Sequence, residues 1–225
     1  MSETFIPITG RELIQRILAG ERDFSRTRLA PATPLHQEEG FRQMIAYLQQ
    51  QDLRTTPVIA EGVDWKGLKA PGLFLPSAHL VGADLSGADL RDSDLRRALF
   101  NDAKLDRANL EGSIMLHCRL IQTDLTGANM RGVDMYEAKI NGAVFRNVDL
   151  TFAHLLRVVF ENGNLTDASV GGVNFYRTDL RKVVGLGSVR DLGRALFHQT
   201  VITHEQLETI QSAIRSLPLF DVRDG

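Results

Sequence analysis

The sequence predicts an all-β solenoid with helices at both ends, and three observations in the 225-residue chain lead to this fold class. First, residues 63–182 divide into 24 consecutive units of five with no insertion or deletion. Second, most units have an apolar central residue, a small or β-branched residue two positions earlier, and a polar residue between them. Third, outward residues of like character recur every 20 positions. The clearest such column is Arg96, Leu116, Tyr136, Leu156 and Tyr176.

The alternation inside each unit is typical of a short strand with one buried face. The central residues fall on every multiple of five, from Trp65 to Leu180, and we predict that they point inward. Helix does not fit, because neither 3.6 nor 3.5 residues per turn gives a repeat of five. A spacing of 15 would mix Leu116 with Arg131 and Arg146, so the 20-residue period is favoured. Four units per turn give about six coils, stacked at about 4.8 Å into a rod roughly 29 Å tall.

The clearest units have one consensus. They are Ala-Asp-Leu-Ser-Gly at 83–87, Ala-Asn-Leu-Glu-Gly at 108–112 and Thr-Asp-Leu-Thr-Gly at 123–127. This consensus resembles the pentapeptide repeat family. The resemblance covers residues 63–182 and implies a right-handed, four-sided parallel β-helix. For function the resemblance implies less, because most members of the family are uncharacterised. The characterised minority protects type II topoisomerases by imitating DNA.

The N-terminal segment, residues 1–62, is predicted to be a helical cap with a helical insertion. Thr9 and Glu12 form a capping box before an apolar stripe, which indicates a helix at 10–19 over the first coil. Residues 23–30 resemble two units out of register with the main array and are predicted to start a first coil, which a second helix at 34–51 interrupts. For that helix we expect Thr33 as N-cap and Pro34 as first helical residue.

The C-terminal segment, residues 183–225, is predicted to close the other end of the rod. The five-residue period fails at 185–187, and the pattern favours a short helix at 188–197. A capping box that starts at Thr203 predicts a second helix at 203–217. The remaining tail, 219–223, is expected to pack on these helices or to contact a second subunit.

Composition indicates a cytoplasmic protein without bulk attraction to nucleic acid or membranes, since the net charge is −2. The one cysteine, Cys118, is at an inward position and is expected to be a buried filler in a reducing compartment. The first ten residues lack the features of a secretory signal, and no apolar run approaches the ~20 residues that span a bilayer.

Motifs for catalysis, cofactor binding and metal binding are lacking, so we expect no enzyme, no cofactor and no metal site. The six histidines show no metal-ligand spacing. Carboxylates recur one position before the central residue, for example at Asp84, Asp89, Asp94 and Asp124. A carboxylate site is one interpretation, and hydrogen bonds to the turn backbone are the other.

The function that the sequence favours is a non-enzymatic protein-interaction scaffold. The column described above is apolar and aromatic with a basic edge, which is the composition of an interface with a protein partner or a second copy. Its predicted contact residues are Ile114, Leu116, Tyr136, Leu156, Tyr176, Arg157 and Arg177. Internal cover by the protein's own helices and chance remain alternatives, and a homodimer could instead use the C-terminal helices.

The second hypothesis is a DNA-mimicking modulator of a type II topoisomerase. A duplex carries one charge per ~1.7 Å, so its mimic should be strongly acidic. Residues 63–182 contain 15 Lys plus Arg and 15 Asp plus Glu, and no loop interrupts the array. The balanced charge disfavours mimicry of DNA, and the uninterrupted array differs from the topoisomerase-protecting members that have loop insertions. A gyrase supercoiling assay would test this hypothesis.

Overall fold

The computed structural model describes residues 4–213 and 220–223, and its centre is a coil with a period of 20 residues. Isolated parallel bridges join each outward residue to the one 20 positions later. One unbroken column of bridges contains Asp64, Asp84, Lys104, Asp124, Val144, Asn164 and Val184. Three further columns accompany it, so four five-residue units complete one coil. The period predicted from the surface pattern is therefore confirmed, and one of 15 is excluded.

The interior of the coil is filled by the central residues, as predicted. Leu90, Leu110 and Leu150 are at most 2% exposed, and the rings of Phe145 and Phe160 meet with centroids 5.6 Å apart. Polar residues two positions earlier donate to carbonyls of the preceding coil. The donors are Ser113, Cys118, Thr123, Thr178 and Thr200. Burial raises the pKa of the Cys118 thiol to about 12, consistent with a filler rather than a nucleophile.

Regular strands are rarer than the alternation suggests. Only three occur in the array, β3 (Arg119–Ile121), β4 (Lys139–Asn141) and β5 (Val159–Glu161), which pair in parallel. Elsewhere the chain turns a corner every five residues, so each side holds a single bridging residue. We call the four sides one to four, beginning with the side that contains residues 63–65, and give each corner the number of the side before it.

The first coil starts before the N-terminal insertion and contains it, as the out-of-register units predicted. Bridges join Asp23 to Ile59 and Arg28 to Asp64, a separation of 36 instead of 20, so the insertion adds 16 residues to this coil. The indole N–H of Trp65 donates to the Thr27 hydroxyl at 3.1 Å across the insertion. The β-helix therefore begins before residue 63.

The N-terminal helix α1 (Gly10–Leu18) has its predicted cap, because the Thr9 hydroxyl accepts from the Glu12 amide. Its residues Leu13, Ile14 and Ile17 are buried in the same cluster as the coil interior. A short strand that the sequence did not predict precedes it. This strand, β1 (Ile6–Pro7), pairs in parallel with β2 (Thr27–Arg28) at the edge of the first coil.

The predicted helix at 34–51 is shorter than expected. A 3₁₀ turn covers Leu35–Gln37, and the helix α2 (Phe41–Gln49) begins after Gly40, whose φ is 88°. Thr33 caps nothing, since its hydroxyl donates to the Ala30 carbonyl at 2.6 Å. The apolar stripe predicted that α2 exists but not where it begins. The start is set by Gly40, whose left-handed backbone stands just before the first turn.

The predicted helix at 188–197 is wrong, because the β-helix continues through this segment. Bridges join Ser169 to Arg190, Asn174 to Leu196 and Asp179 to Val201, with separations of 21, 22 and 22 residues. Two 3₁₀ turns, Leu186–Ser188 and Leu192–Arg194, absorb the extra residues. Phe197 stacks on Phe175 at 5.3 Å and so continues the central column of side three.

The last described elements follow this coil. Strand β6 (Thr200–Ile202) leads into α3 (His204–Ala213), and β7 (Phe220–Val222) pairs in parallel with β6. The predicted capping box is present, with Thr203 and Gln206 each accepting from the other's amide. The part of the predicted helix from 214 to 217 lies outside the described residues, as does residue 219 of the predicted tail. Within the described ranges, no helix could cross a membrane.

Candidate interaction surface

The predicted contact column lies along the third corner of the coil, at the turn between sides three and four. Main-chain hydrogen bonds stack its residues one above another. The His117 amide donates to the Tyr136 carbonyl at 2.8 Å, and the Arg157 amide donates to the Tyr176 carbonyl at 2.9 Å. We call the outward row Leu116, Tyr136, Leu156 and Tyr176 the ridge. Ile114 lies beside it on side three and is 39% exposed.

Polar contacts hold the middle of the ridge in place. The His117 ring packs edge-on against Tyr136 at 5.8 Å, and an Arg157 guanidinium N–H donates to the Tyr136 hydroxyl at 3.2 Å. Glu137 pairs with Arg157 at 3.0 Å, and its other carboxylate oxygen lies 3.4 Å from Nδ1 of His117. The ridge is therefore an ordered surface rather than a set of independent side chains.

The ridge extends further than the sequence predicted. The ring of His198 stacks on Tyr176 with centroids 5.4 Å apart and an interplanar angle of 6°. Arg177 lies over the Tyr176 ring and donates to the Gln199 side chain at 2.7 Å. His198 was missed because residues 188–197 were assigned to a helix, which removed the next coil from the column.

Among residues 4–213 and 220–223, the segment that covers part of the corner is the connector after α2, at the lower end. The connector after α2, including Asp52 and Arg54, encloses a cavity of about 340 Å³ with Arg96, Leu116 and His117. Tyr136, Leu156 and Tyr176 lie two to four coils beyond Arg96, roughly 10–19 Å further along the rod. These three side chains are half-buried by their stacked neighbours.

The third corner differs from the others in its backbone. Its second turn residue has a positive φ, between 53° and 62°, at seven successive places along the corner, yet none of these residues is glycine. These residues are Ser77, Arg97, His117, Glu137, Arg157, Arg177 and Gln199. Glycine fills the equivalent place three or four times at each other corner, as at Gly67, Gly87 and Gly127. A side chain there costs about 1 kcal/mol relative to glycine, so this corner retains side chains against their conformational cost.

The carboxylates singled out in the sequence form turn-stabilising hydrogen bonds and do not converge. Oδ1 of Asp84, Asp89, Asp94 and Asp124 accepts from the amide two residues later. The Arg91 guanidinium also bonds Asp89 and holds the pKa of that carboxyl below its usual value. Within residues 4–213 and 220–223, no three His, Cys, Asp or Glu side chains could share a metal ion.

Exposed apolar residues outside the predicted set, among them Val159 and Phe152, also break the repeat pattern. Val159 is 52% exposed on side four, next to the third corner. Phe152 is 61% exposed at the second corner, where Arg131 lies 5.9 Å from the centre of its ring. An apolar residue at a position that is usually polar was the sequence signal for both.

The five-residue units match a known family. The family model described as pentapeptide repeats matches residues 78–115, 117–147 and 143–181, with 8 copies. A search of curated proteins gives no significant match. The matched region is shorter than the coil in the structure, which begins near residue 23 and continues to residue 202.

Solved structures with the same repeat resemble the chain. HetL, a pentapeptide repeat protein involved in heterocyst differentiation regulation from the cyanobacterium Nostoc sp. strain PCC 7120, has a TM-score of 0.53 at 22% identity. The alignment covers 86% of this chain but only 65% of HetL. Full-length QnrB1, a plasmid-mediated fluoroquinolone resistance protein, is 15% identical with a TM-score of 0.44 over 74% of this chain and 94% of its own.

The likeness to HetL shows the fold alone, and the fold it implies is a right-handed β-helix. The residues that the family model matches lie within the consecutive five-residue units whose central residues fill the coil. The chain belongs to the pentapeptide repeat family.

Proposed function

We propose that the protein is a non-enzymatic interaction scaffold, in which residues 63–182 form a rod of about six coils. The ridge on its third corner is the contact surface for a protein partner. The observation that carries this proposal is the ordered, half-exposed row of Leu116, Tyr136, Leu156 and Tyr176 at a corner that keeps its side chains in a strained backbone.

The chemistry of the ridge suits an interface. Tyrosine and arginine dominate interface energetics, because both bury large areas and still form hydrogen bonds. Tyr136 is already held by His117 and Arg157, so little side-chain entropy would be lost when a partner covers it. A rigid coil presents these groups at a fixed spacing of about 4.8 Å.

The test is the double substitution Tyr136→Glu with Leu156→Glu. Both side chains point outward, so the fold should be retained, while two charges are placed in the centre of the contact surface. We expect loss of partner capture from a native extract and, if the partner is a second copy, reduction of the native mass to that of a monomer. Affinity capture measures the loss of the partner, analytical ultracentrifugation measures the native mass, and circular dichroism checks that the fold is retained.

The matched control is Ile121→Glu with Asn141→Glu on the fourth corner. These residues occupy the same place in their units, lie one coil apart and are half-buried, and the change in charge is equal. The control should keep every partner and the native mass. Retention of all partners by the ridge variant, or equal loss in both variants, would contradict the proposal.

A further inference from the structure

A basic groove runs beside the ridge, between the third corner and side four. It has a volume of about 550 Å³ and is lined by Arg97, His117, Arg119, Lys139, Arg157 and Val159, among others. Arg97 and His117 also line the cavity beneath the connector after α2. The groove therefore continues along the corner from that connector to the coil that contains Val159.

Charge is segregated around the rod although the rod is neutral. The outward residues of the third corner and side four include six Lys or Arg and two acids, Glu137 and Asp179. The six are Arg96, Arg97, Arg119, Lys139, Arg157 and Arg177. Subtracting these from the 15 bases and 15 acids of residues 63–182 leaves nine bases and 13 acids elsewhere. The groove side thus carries a charge of +4 and the remainder −4.

Much of this positive charge is not neutralised by the protein itself. Arg97, Arg119 and Lys139 form no ion pair within residues 4–213 and 220–223, and all three are exposed. Among the described residues that line the groove, the acid is Glu137, which is already paired with Arg157 at 3.0 Å. An anionic partner would meet cations that have no internal competitor.

Arg97 shows that these side chains are not kept for stability. Its φ is 62°, where glycine would be less strained, and within the described part of the chain its guanidinium has no hydrogen bond or ion pair. Its only hydrogen bond there is from the main-chain amide to the Leu116 carbonyl, which glycine would keep.

We propose that the groove binds an extended acidic segment of the partner protein. The inference rests on the proposed function and specifies the chemistry of the partner. Carboxylates of the segment would pair with Arg97, Arg119 and Lys139, and apolar residues between them would pack on Val159 and the ridge. A polypeptide is favoured over a nucleic acid because Leu116, Leu156 and Val159 offer apolar contacts, and because the other sides are acidic and would repel a polyanion.

The experiment uses the full chain and three labelled probes of ten residues or nucleotides: a peptide of alternating Glu and Leu, the same peptide with Lys for Glu, and oligo(dT). Fluorescence anisotropy should show binding of the Glu peptide alone. Affinity should fall as salt rises from about 0.05 to 0.2 M, because exposed charges are screened. Absence of binding, or tighter binding of oligo(dT), overturns the inference.

Two variants locate the site. Arg119→Glu with Lys139→Glu should lower the affinity for the Glu peptide at least about tenfold. Arg107→Glu with Arg146→Glu makes the same charge change on the first corner and should leave binding close to that of the wild type. Equal weakening by both pairs would show bulk attraction only and overturn the site.

Arg97→Gly separates binding from folding. Relief of the positive φ should raise the melting temperature by about 2–4 °C, while peptide affinity falls. A variant that gains stability and binds unchanged would remove Arg97 from the site.

Capture of the native partner distinguishes this inference from the proposed function. If Arg119→Glu with Lys139→Glu keeps the partner while Tyr136→Glu with Leu156→Glu loses it, the acidic segment is wrong and the scaffold stands. If both pairs keep the partner, both are wrong. Loss in both supports the two proposals together.

Discussion

Leu125→Asp should destabilise the protein by about 4 kcal/mol or more, which is a large part of the stability of an ordinary domain. Leu125 is the central residue of its unit in the middle of the rod and is fully buried. The substitution removes a well-packed side chain and places an unpaired carboxylate between two coils. Urea denaturation followed by circular dichroism measures the loss.

The control for this prediction is Leu125→Met, which keeps the volume and should cost less than about 1.5 kcal/mol. Because each coil is buried only by its neighbours, the aspartate variant should disrupt the rod on both sides of residue 125. Equal urea midpoints for the two variants would show that the central residues do not form the core.

Deletion of residues 1–20 should cause self-association. The deletion removes β1 and all of α1. It also removes the main-chain hydrogen bonds that Ile6 in β1 and Ile8 just after it donate to the carbonyls of Arg26 and Arg28. The edge of β2 would then be unpaired, and unpaired strand edges pair with other chains. Light scattering should show a mass that rises with concentration, and the melting temperature should fall.

The double substitution Leu13→Ala with Ile17→Ala separates the two parts of this effect. Both side chains are buried in α1, so stability should fall by about 2–5 kcal/mol for each leucine or isoleucine removed. The edge of β2 stays paired with β1 in this variant, so its folded molecules should keep the native mass. A truncated chain with unchanged mass and stability would contradict a capping role for this segment.

The fold of the array could be predicted because one physical constraint repeats in every unit. Each central residue, such as Leu90 or Leu150, must face inward if its neighbours do, so local patterns agree with one another over the whole array. The same argument predicted the early coil, where Phe24 and Leu29 carry the pattern and are buried.

The C-terminal coil could not be predicted in the same way, because inserted residues change its spacing from 20 to 21 and 22. With the period lost, the apolar residues of 188–197 matched a helix equally well. The structure distinguishes the continued coil from a helix, since Leu192 and Phe197 are buried whereas Leu196 is 57% exposed.

The candidate site was predicted in part. The ridge could be found because Leu116, Tyr136 and Leu156 recur at one position in the unit. The groove beside it could not, since Arg119 and Lys139 occupy a different position in the next unit, on side four. Only the turn at residues 116–117 and 136–137 brings them next to the ridge.

The central claim is that the third corner carries the contact surface, and site-specific photo-crosslinking tests it most directly. A benzoylphenylalanine at position 156 on the ridge is compared with one at position 146 on the first corner, both introduced at exposed or half-exposed turn residues. The account predicts a discrete adduct in native extract from position 156 alone, abolished by Tyr136→Glu. Equal adducts from both positions, or an adduct at 156 that survives Tyr136→Glu, would contradict it.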